Sequence, residues 1–376
     1  MAERRLRVIV VGPQGVGGQA HAARDILAGF GNHRSVHVEF QAIDPRLPGP
    51  WRFLTEWKFL RSLVRPLLYC RGLVLRVPRA DVLHVFAAAH TAFLFGALPA
   101  LLIARWFGRP VILNYRDGRA QAHFRWWGPL LRWALKRVSL LVFPSTYLQE
   151  VFRRRGYESV VVPNVVDTTA FTYGYTEPVR PRLVSARALE PLYGTDNTLR
   201  AFAIVKAQVP EAVLDIYGAG SAMGMLRRAA LAQGTPDIRF HGAVSRTEMP
   251  AVMGAGGVLV NSSRIDNMPH LLIEAFAAGL PIVSTAAGGI PHIVTHDRNG
   301  VLVPIDRPEA LAAAVLRVLR EPGLAQRLAS AGRRESARYS WPEAERAWLG
   351  VYGRVAADAA ATRSNRVTGL RHWSRS

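Results

Sequence analysis

The 376-residue sequence predicts an α/β protein that contains two doubly wound domains. In both halves of the chain, short apolar runs alternate with stretches of helical periodicity. Between the halves, residues 165–182 mix Pro, Tyr, Thr and Gly without a clear period, which is typical of a connecting segment. Apolar strands that alternate with helices indicate parallel sheets covered on both faces. The length agrees, since one domain usually takes roughly 100–200 residues.

Five strands are predicted in each half. Those in the first half lie at residues 7–12, 36–43, 81–86, 110–115 and 140–145. Those in the second half lie at residues 181–187, 212–218, 238–244, 257–263 and 281–289. Open parallel sheets bind ligands beyond the carboxyl ends of their strands, so residues that directly follow a strand are candidate site residues. We expect the two domains to face each other across a cleft.

The positive charge is concentrated in the first half. The formal net charge is +21, and residues 1–170 hold 24 Lys/Arg against 10 Asp/Glu, whereas residues 171–360 hold 20 against 17. Such a field favours anionic membranes, nucleic acid or phosphorylated substrates. The single cysteine, Cys70, excludes a disulfide framework and a cysteine zinc site, and it fits a reducing cytoplasm. We expect no signal peptide, and we interpret the apolar segment 86–107 as a core helix rather than a membrane span.

The most informative segment is SSRIDNMPHLLIEAFAAGLPIVSTAAGGIPHIV, residues 262–294. Pro269 stands where a helix can begin, because its missing N–H would lack a helical partner there in any case. Asp266 or Asn267 can cap this helix, whose first amides and dipole form a site for an anion such as a diphosphate. Glu274 lies among apolar residues, so we expect it to be buried and to need polar partners, which a ribose diol would supply. A capped helix with one acid at its edge is the alternative.

Asp266 and Glu274 are separated by seven residues, and an Ala-x-x-Gly-x-Pro-x-Val pattern follows. This arrangement resembles the family 4 glycosyltransferases, which have the GT-B fold. The resemblance implies that Glu274 holds the ribose of a nucleotide-sugar, and that Asp266, Asn267 and Met268 meet the sugar and its phosphate beside Pro269. The family most often has Glu where this chain has Asp266, so the role of this residue is an open point.

Residues 185–202 resemble the donor-phosphate segment of the family, with Arg187 in the arginine position. A guanidinium fork suits a diphosphate in geometry and charge. The family often has a lysine at the position of Tyr193, so one positive charge is missing. Arg264 or the helix start at Pro269 is a candidate to replace it.

Gly218 belongs to a Gly-x-Gly turn that resembles the family's turn after the next strand. Gly17 and Gly18 resemble the family's first-domain glycine loop, which closes on donor and acceptor. An ordinary tight turn between a strand and a helix would have the same sequence pattern. Three segments agree with the family in order and spacing: residues 161–171, 215–221 and 239–253.

The catalytic candidates are Arg116, His84 and Asp266. The family frequently has a histidine at the position of Arg116, and an arginine stabilises leaving-phosphate charge but cannot act as a base. His123 is a candidate for the missing role. His84 lies near the end of a strand, and a satisfied core histidine is the alternative there.

The resemblance implies transfer with retention at the anomeric carbon and without a metal. The sequence has no His/Asp cluster with metal-ligand spacing, so we expect neither a metal nor another cofactor. The expected donor is a UDP- or GDP-sugar, and the expected acceptor is a carbohydrate or a lipid-linked molecule of glycan or cell-surface polysaccharide assembly. On this basis residues 1–170 bind the acceptor and residues 171–341 bind the donor. A helix at residues 342–360 crosses back to the first domain, and a basic tail at residues 361–376 is disordered.

Residues 51–71 and 124–137 combine apolar side chains at helical spacing with basic side chains, among them Lys58, Arg61 and Arg65. Ordinary surface helices whose apolar faces pack on the core would have this pattern. The sharper hypothesis is a peripheral contact with an anionic membrane on its cytoplasmic face.

Three other functions compete with sugar transfer. A sugar-nucleotide epimerase would need paired acid and base groups, which the sequence does not place. A non-catalytic homologue is suggested by Tyr193 and Arg116. A nucleic-acid-binding protein is suggested by charge alone, but no recognition-helix, RNA-binding or zinc motif accompanies that charge, so no nucleic-acid partner is expected.

Overall fold

The computed structural model describes residues 4–15, 17–47, 49–57 and 59–373. The chain divides into two compact units. The first unit comprises the chain through Val162 together with the segment from Ala344 onward, and the second comprises Pro163–Glu343. The first unit is therefore discontinuous in sequence.

The first unit is a six-stranded parallel sheet with helices on both faces. Its strands are β1 (Leu6–Gly12), β2 (Val36–Ala42), β3 (Val82–Ala87), β4 (Val111–Tyr115), β5 (Leu140–Phe143) and β6 (Val160–Val161). Its helices are α1 (Gly18–Phe30), α2 (Arg52–Glu56), α3 (Leu60–Arg76), α4 (Leu98–Trp106), α5 (Ala120–Leu135) and α6 (Thr146–Arg153), and a π-helical turn, Phe93–Ala97, leads into α4. The strand order is β2-β1-β3-β4-β5-β6, so the direction of winding reverses between β1 and β3.

Alternating side chains of the first sheet serve two cores. Ile9, Leu83 and Leu113 pack in one core with residues of α3, α4 and α5. On the other face, His84 of β3 contacts the ring of Trp348, which lies in the C-terminal segment of the unit. The strands are therefore buried on both sides, which explains their nearly continuous apolar sequences.

The second unit repeats this architecture. Its strands are β7 (Arg182–Ala186), β8 (Val213–Tyr217), β9 (Ile238–Gly242), β10 (Val258–Asn261), β11 (Ile282–Thr285) and β12 (Val301–Val303). Its helices are α7 (Thr195–Gln208), α8 (Met223–Gln233), α9 (Met249–Ala255), α10 (His270–Ala278), α11 (Pro308–Arg320) and α12 (Leu324–Ser336), after which α13 (Trp341–Trp373) continues into the first unit. The strand order is β12-β11-β10-β7-β8-β9, so the winding reverses between β10 and β7.

The ten predicted strands are all present, and the α/β fold with two doubly wound units is confirmed. The strands β6 and β12 were not predicted, because two or three residues are too short to show a period. Segment 86–107 holds the end of β3, the π-helical turn and all of α4, and the buried Phe93 and Leu101 fit the core interpretation. Among the described residues, no helix combines the length and the apolar character needed to cross a bilayer.

Two boundaries differ from the expected ones. The first unit gives way to the second after Val162 rather than after residue 170. The tail expected to be disordered continues α13 as far as Trp373, and residues 374–376 lie outside the described residues. The alanine-rich sequence that precedes the tail favours this extension, because alanine has the highest helix propensity and extending an existing helix needs no new nucleus.

Candidate donor site

The site lies at the point of the second sheet where the winding reverses. Because β10 and β7 are neighbours whose helices leave in opposite directions, their carboxyl ends border a crevice. Arg187 directly follows β7, and Asp266 lies in the loop that follows β10. The topology thus brings together two residues that are 79 positions apart in sequence.

A half-buried ion pair joins these two residues. The Arg187 guanidinium donates to a carboxylate oxygen of Asp266 over 2.6 Å. The guanidinium also lies over the Tyr193 ring, with its central carbon 4.0 Å from the ring centroid. Burial raises the pKa of Asp266, and the positive charge of Arg187 opposes that shift. The Arg187 Nε has no hydrogen-bond partner within the described part of the chain. Tyr193, the residue at the lysine position, therefore supports the arginine instead of adding a second charge.

Glu274 lies in the helix that follows the Asp266 loop. It belongs to α10, where it is 9% exposed among the buried Leu271, Ile273 and Phe276. Burial raises its pKa to about 7, although the charges of Arg246 and Arg187 favour the ionised form. A buried carboxyl group whose pKa is raised toward neutral pH is typical of a functional site.

Glycines let three loops press against one another. A Cβ at Gly288 would clash with the carbonyl oxygen of Asp266, and one at Gly289 would clash with that of Asn267. The Gly289 amide donates to the Asp266 carbonyl oxygen over 2.9 Å. Gly218, at φ 134°, leaves no room for a Cβ beside the Arg187 carbonyl oxygen. The predicted role of Gly218 at this edge thus has a steric reason, since only glycine permits the approach.

The start of α10 differs from the prediction. Pro269 occupies the position before the first helical residue, with ψ 121°, and no side chain caps the helix. Instead, the Asp266 carboxylate accepts from the Asn267 amide over 2.9 Å, inside the loop. The extended conformation of Pro269 displaces the helix start by one residue, so neither Asp266 nor Asn267 lies in a capping position.

Met268 and Asn267 are both buried. The Met268 side chain belongs to a core cluster, and its sulfur accepts from the Asn164 amide over 3.3 Å. The Asn164 side chain also donates to the Met268 carbonyl oxygen over 2.8 Å. Asn164 therefore positions the loop that holds Met268, a role that was missed because the sequence does not show which loop its amide reaches.

Arg264 does not replace the missing lysine. Its guanidinium is bound by two carboxylates, that of Asp196 over 2.8 Å and that of Asp306 over 2.7 Å. Hydrogen bonds and charge from both acids raise the pKa of Arg264 against the effect of burial. The two acids neutralise the charge of Arg264. The sequence could not indicate this pairing, because Asp306 is 42 positions away.

The first unit holds the other predicted site residues. Gly17, at φ 131°, directly precedes α1, and Gly18 is its first residue. This loop follows β1 at the reversal point of the first sheet, and the side chain of Gln19 donates to the Ala87 carbonyl oxygen at the end of β3 over 3.1 Å.

His84 is a satisfied core histidine, so the structure corrects its placement among the catalytic candidates. It is 0% exposed, and its ring nitrogens contact the Tyr352 hydroxyl at 2.9 Å and the Asn114 amide at 3.0 Å. Burial and the nearby Arg116 lower its pKa to about 3. The prediction placed the residue at the strand end, but it is the third residue of β3 and points into the core beneath α13.

Arg116 follows β4, as predicted, and lies over the Phe86 ring, 5.5 Å from its centroid. Burial lowers its pKa to about 10, so it remains charged at neutral pH and cannot act as a base. His123 is buried, with Nδ1 3.0 Å from the Tyr115 hydroxyl, and burial lowers its pKa to about 4. Arg116 therefore has the charge needed for an electrostatic role, whereas His123 is uncharged at neutral pH and only a weak base.

Two doubly wound parallel α/β units in one chain are the architecture of the GT-B class of two-domain proteins. The family models agree: residues 1–170 match "Glycosyltransferase Family 4" and residues 175–335 match "Glycosyl transferases group 1". The chain belongs to the family 4 glycosyltransferases.

Solved structures share the fold. Sucrose-phosphate synthase from Thermosynechococcus elongatus superposes with a TM-score of 0.74 at 16% identity, over 94% of this chain and 100% of that one. HepE of Anabaena, solved in complex with UDP-glucose, gives a TM-score of 0.69 at 19% identity, over 96% of this chain and 100% of that one.

Curated relatives match part of the chain. D-inositol 3-phosphate glycosyltransferase of a Nocardioides species is 32% identical over 47% of this chain and 42% of its own length. A GDP-mannose-dependent α-(1-6)-phosphatidylinositol monomannoside mannosyltransferase of Mycobacterium tuberculosis is 29% identical over 58% of this chain and 62% of its own length. The chain thus spans less than two thirds of the length of each of these relatives.

Proposed function

We propose that this protein transfers a sugar from a nucleoside-diphosphate donor to a carbohydrate or lipid-linked acceptor, with retention of anomeric configuration and without a metal. The observation that carries the proposal is the Arg187–Asp266 pair at the reversal point of the second sheet, beside the buried Glu274. The pair supplies one cation for a diphosphate and one acid for a sugar, and Arg187 and Glu274 stand at the arginine and ribose-acid positions of the donor motif that this chain resembles.

Each donor group has a residue suited to it. The ionised Glu274 accepts hydrogen bonds from the ribose hydroxyls, while Arg187 binds the diphosphate and Asp266 then contacts the sugar. The loop at Gly288 and Gly289 holds the Asp266 backbone in place. Since diphosphate binding competes with the ion pair for the Arg187 guanidinium, donor binding frees the Asp266 carboxylate for the sugar hydroxyls.

The reaction needs little acid–base chemistry from the protein. The bond between the anomeric carbon and the phosphate oxygen breaks, and the bond to the acceptor oxygen forms on the same face of the sugar. The acceptor proton passes to the leaving phosphate. Arg187 stabilises the negative charge that develops on that phosphate, and this does not require a histidine at the position of Arg116.

The donor base is uracil or guanine in this proposal. HepE was solved with UDP-glucose, and the name of the mycobacterial relative specifies GDP-mannose. The same name specifies a phosphatidylinositol-based acceptor, which supports a lipid-linked acceptor here. We further propose that the protein works in cell-envelope polysaccharide assembly, in the cytoplasm and peripherally on the cytoplasmic face of the membrane.

A non-catalytic homologue is the competing function, and two observations favour it: the lysine position holds Tyr193, and Arg264 is neutralised by acids. Such a protein would bind the nucleotide-sugar without transferring or hydrolysing it. Product analysis by mass spectrometry distinguishes the two functions, since only transfer or hydrolysis releases the nucleoside diphosphate.

A thermal-unfolding screen with UDP- and GDP-sugars tests the proposal. At least one donor is expected to raise the melting temperature of the wild type, with or without EDTA, and to leave Glu274→Ala unaffected. Glu309→Ala is the matched control, because Glu309 is an exposed acid on α11 of the same unit. Absence of stabilisation by every donor, or equal stabilisation of both variants, contradicts the donor site. A response that disappears in EDTA contradicts metal independence.

A further inference from the structure

Three helices of the first unit share one side of its sheet. Buried residues of α3, α4 and α5, such as Leu73, Leu101 and Leu131, belong to the same core cluster. The Tyr69 hydroxyl of α3 donates to the Gly96 carbonyl oxygen, just before α4, over 2.6 Å. The helices therefore form one layer over the sheet, and the sides that face away from the core form one outer surface. We call the exposed side chains of residues 51–57, 59, α3, α4 and α5 the basic aromatic face.

Large apolar side chains are exposed along this face. Phe59 is 86% exposed and Trp106 is 79% exposed. On α3, Leu63 and Leu67 are 71% and 66% exposed and lie one helical turn apart. Leu63 and Leu67 therefore point outward from this part of α3. In the described part of the second unit, no tryptophan is as exposed as Trp106.

The charge on this face is predominantly positive, and the acid Glu56 in α2 is bound by Arg52 over 2.7 Å. The sequences of α3, α4 and α5 contain seven arginines and no Asp or Glu. Arg61, Arg71 and Arg105 are exposed, and none of them pairs with a carboxylate in the described part of the chain. Between residues 57 and 149 the sequence has only two acids, Asp81 and Asp117. Asp81 binds Arg4, and Asp117 binds Arg119. The predicted basic residue Lys58 lies outside the described residues.

We propose that the basic aromatic face docks on an anionic lipid bilayer, with Phe59, Leu63, Leu67 and Trp106 inserted among the acyl chains near the headgroups. The arginines pair with lipid phosphates while the aromatic and aliphatic groups leave water. The purpose of this contact rests on the proposed function, because an enzyme bound to the membrane surface meets a lipid-linked acceptor in the plane of the membrane.

Charge complementarity favours a bilayer over the other occupants of such a face. A second copy of the chain would bring seven arginines against seven without a carboxylate on α3, α4 or α5 to pair them. Nucleic acid would satisfy the arginines, but the exposed Leu63 and Leu67 have no aromatic ring to stack on bases. A bilayer with anionic headgroups accepts both kinds of side chain at once.

Flotation of the full-length protein with lipid vesicles tests the proposal. We expect the wild type to float with phosphatidylcholine vesicles that contain about 30% phosphatidylglycerol, and to bind less as salt rises from about 0.05 M to about 0.5 M. The variant Leu63→Ser/Leu67→Ser/Trp106→Ser is expected to lose at least about tenfold in vesicle affinity, since three apolar groups no longer leave water. Leu231→Ser, at an 82% exposed leucine of α8 in the second unit, is the matched control and should bind as the wild type does.

Further measurements on the same samples separate the outcomes. Blue-shifted tryptophan emission that bromolipids quench, and that is reduced in the triple variant, supports insertion. Equal binding of the triple variant and the wild type overturns the proposal, as does binding to mixed-sequence RNA or DNA without vesicle binding. A dimer in solution that becomes a monomer in the triple variant also overturns it. Nucleotide-sugar stabilisation of the wild type is measured in parallel, so a wild type that binds a donor but does not float with the anionic vesicles refutes this face alone and leaves the proposed sugar transfer standing.

Discussion

At the scale of single residues, Glu274 shows a conflict between stability and function. Its carboxyl group is buried in α10, and burial raises its pKa to about 7, from an ordinary value of 4.5. Binding a ribose diol through both carboxylate oxygens requires the ionised form, which the folded protein disfavours. A residue that weakens the fold in the state needed for binding is typical of functional sites.

The first prediction concerns the pH dependence of stability at Glu274. The folded protein holds the proton more tightly than the unfolded chain, so this group destabilises the fold progressively as pH rises from about 4.5 to about 7. Glu274→Gln removes that cost. We expect the variant and the wild type to melt together at pH 4, and the variant to be more stable at pH 8 by up to roughly 3 kcal/mol.

Calorimetry at the two pH values measures this difference. Donor affinity of the wild type is expected to fall as pH decreases below about 7, because the neutral carboxyl replaces the carboxylate. The variant should bind donor weakly at every pH. A stability difference between the two proteins that does not change with pH would contradict the raised pKa.

Arg187 shows how a departure from the family pattern is accommodated. Tyr193 brings no charge, but its ring lies against the guanidinium, and Asp266 holds the other side. Two contacts thus fix the orientation of a single cation. An oriented guanidinium loses less side-chain entropy when it binds phosphate than a flexible lysine does, which offsets part of the missing charge.

At the scale of elements, sequence predicts best where the signal is local. The strands β7 and β10 and the helix α10 were predicted because their apolar runs and glycine ends lie within a few residues. The pairing of Arg264 with Asp306 depends on tertiary contact over 42 positions, which no local pattern contains. The candidate donor residues were therefore predictable, but their ion pairs were not.

The outward face of α3 marks another limit. Apolar residues at helical spacing indicate an amphipathic helix but do not say which face meets the core. In the structure the core takes Tyr69 and Leu73, and Leu63 and Leu67 point outward. His84 illustrates the same limit, because its strand was predicted but the burial of its side chain under α13 was not.

The second prediction tests the close contact between two loops. Gly289 has φ −84°, which alanine adopts readily, so Gly289→Ala acts only through the clash of the new Cβ with the Asn267 carbonyl oxygen. The loops must then separate, at a cost of about 1–3 kcal/mol in stability. Because Asn267 adjoins Asp266, we expect donor affinity to fall at least about tenfold, measured by calorimetric titration.

Gly254→Ala is the control for that variant. Gly254 lies in α9 of the same unit, and a Cβ there meets no atom within 4 Å. We expect donor affinity to be unchanged and stability to be equal or slightly higher, since alanine favours helix more than glycine does. Equal donor affinities for Gly289→Ala and the control would show that this loop contact does not shape the site.

At the scale of the whole molecule, the two structural units do not follow one another simply along the chain. The first unit needs residues from both ends of the sequence, because α13 returns to it after the second unit is complete. The Trp348 ring of α13 lies 4.4 Å from that of His84, and the Tyr352 hydroxyl binds the same histidine. Side chains near the end of the sequence therefore cover a sheet whose first strand begins at Leu6.

The final prediction follows from this discontinuity. Trp348 is 3% exposed, and Trp348→Ala leaves a cavity beneath β3 that should cost about 3–5 kcal/mol. The loss belongs to the first unit, although residue 348 follows the second unit in sequence. We expect native-state hydrogen exchange to show faster opening of β1 and β3, with protection in β7 and β10 retained. Phe202→Ala, at a fully buried residue of α7, is the reciprocal control and should weaken protection in the second unit. If Trp348→Ala reduced protection only in β7 and β10, α13 would have to be assigned to the second unit, and the discontinuous first unit would be wrong.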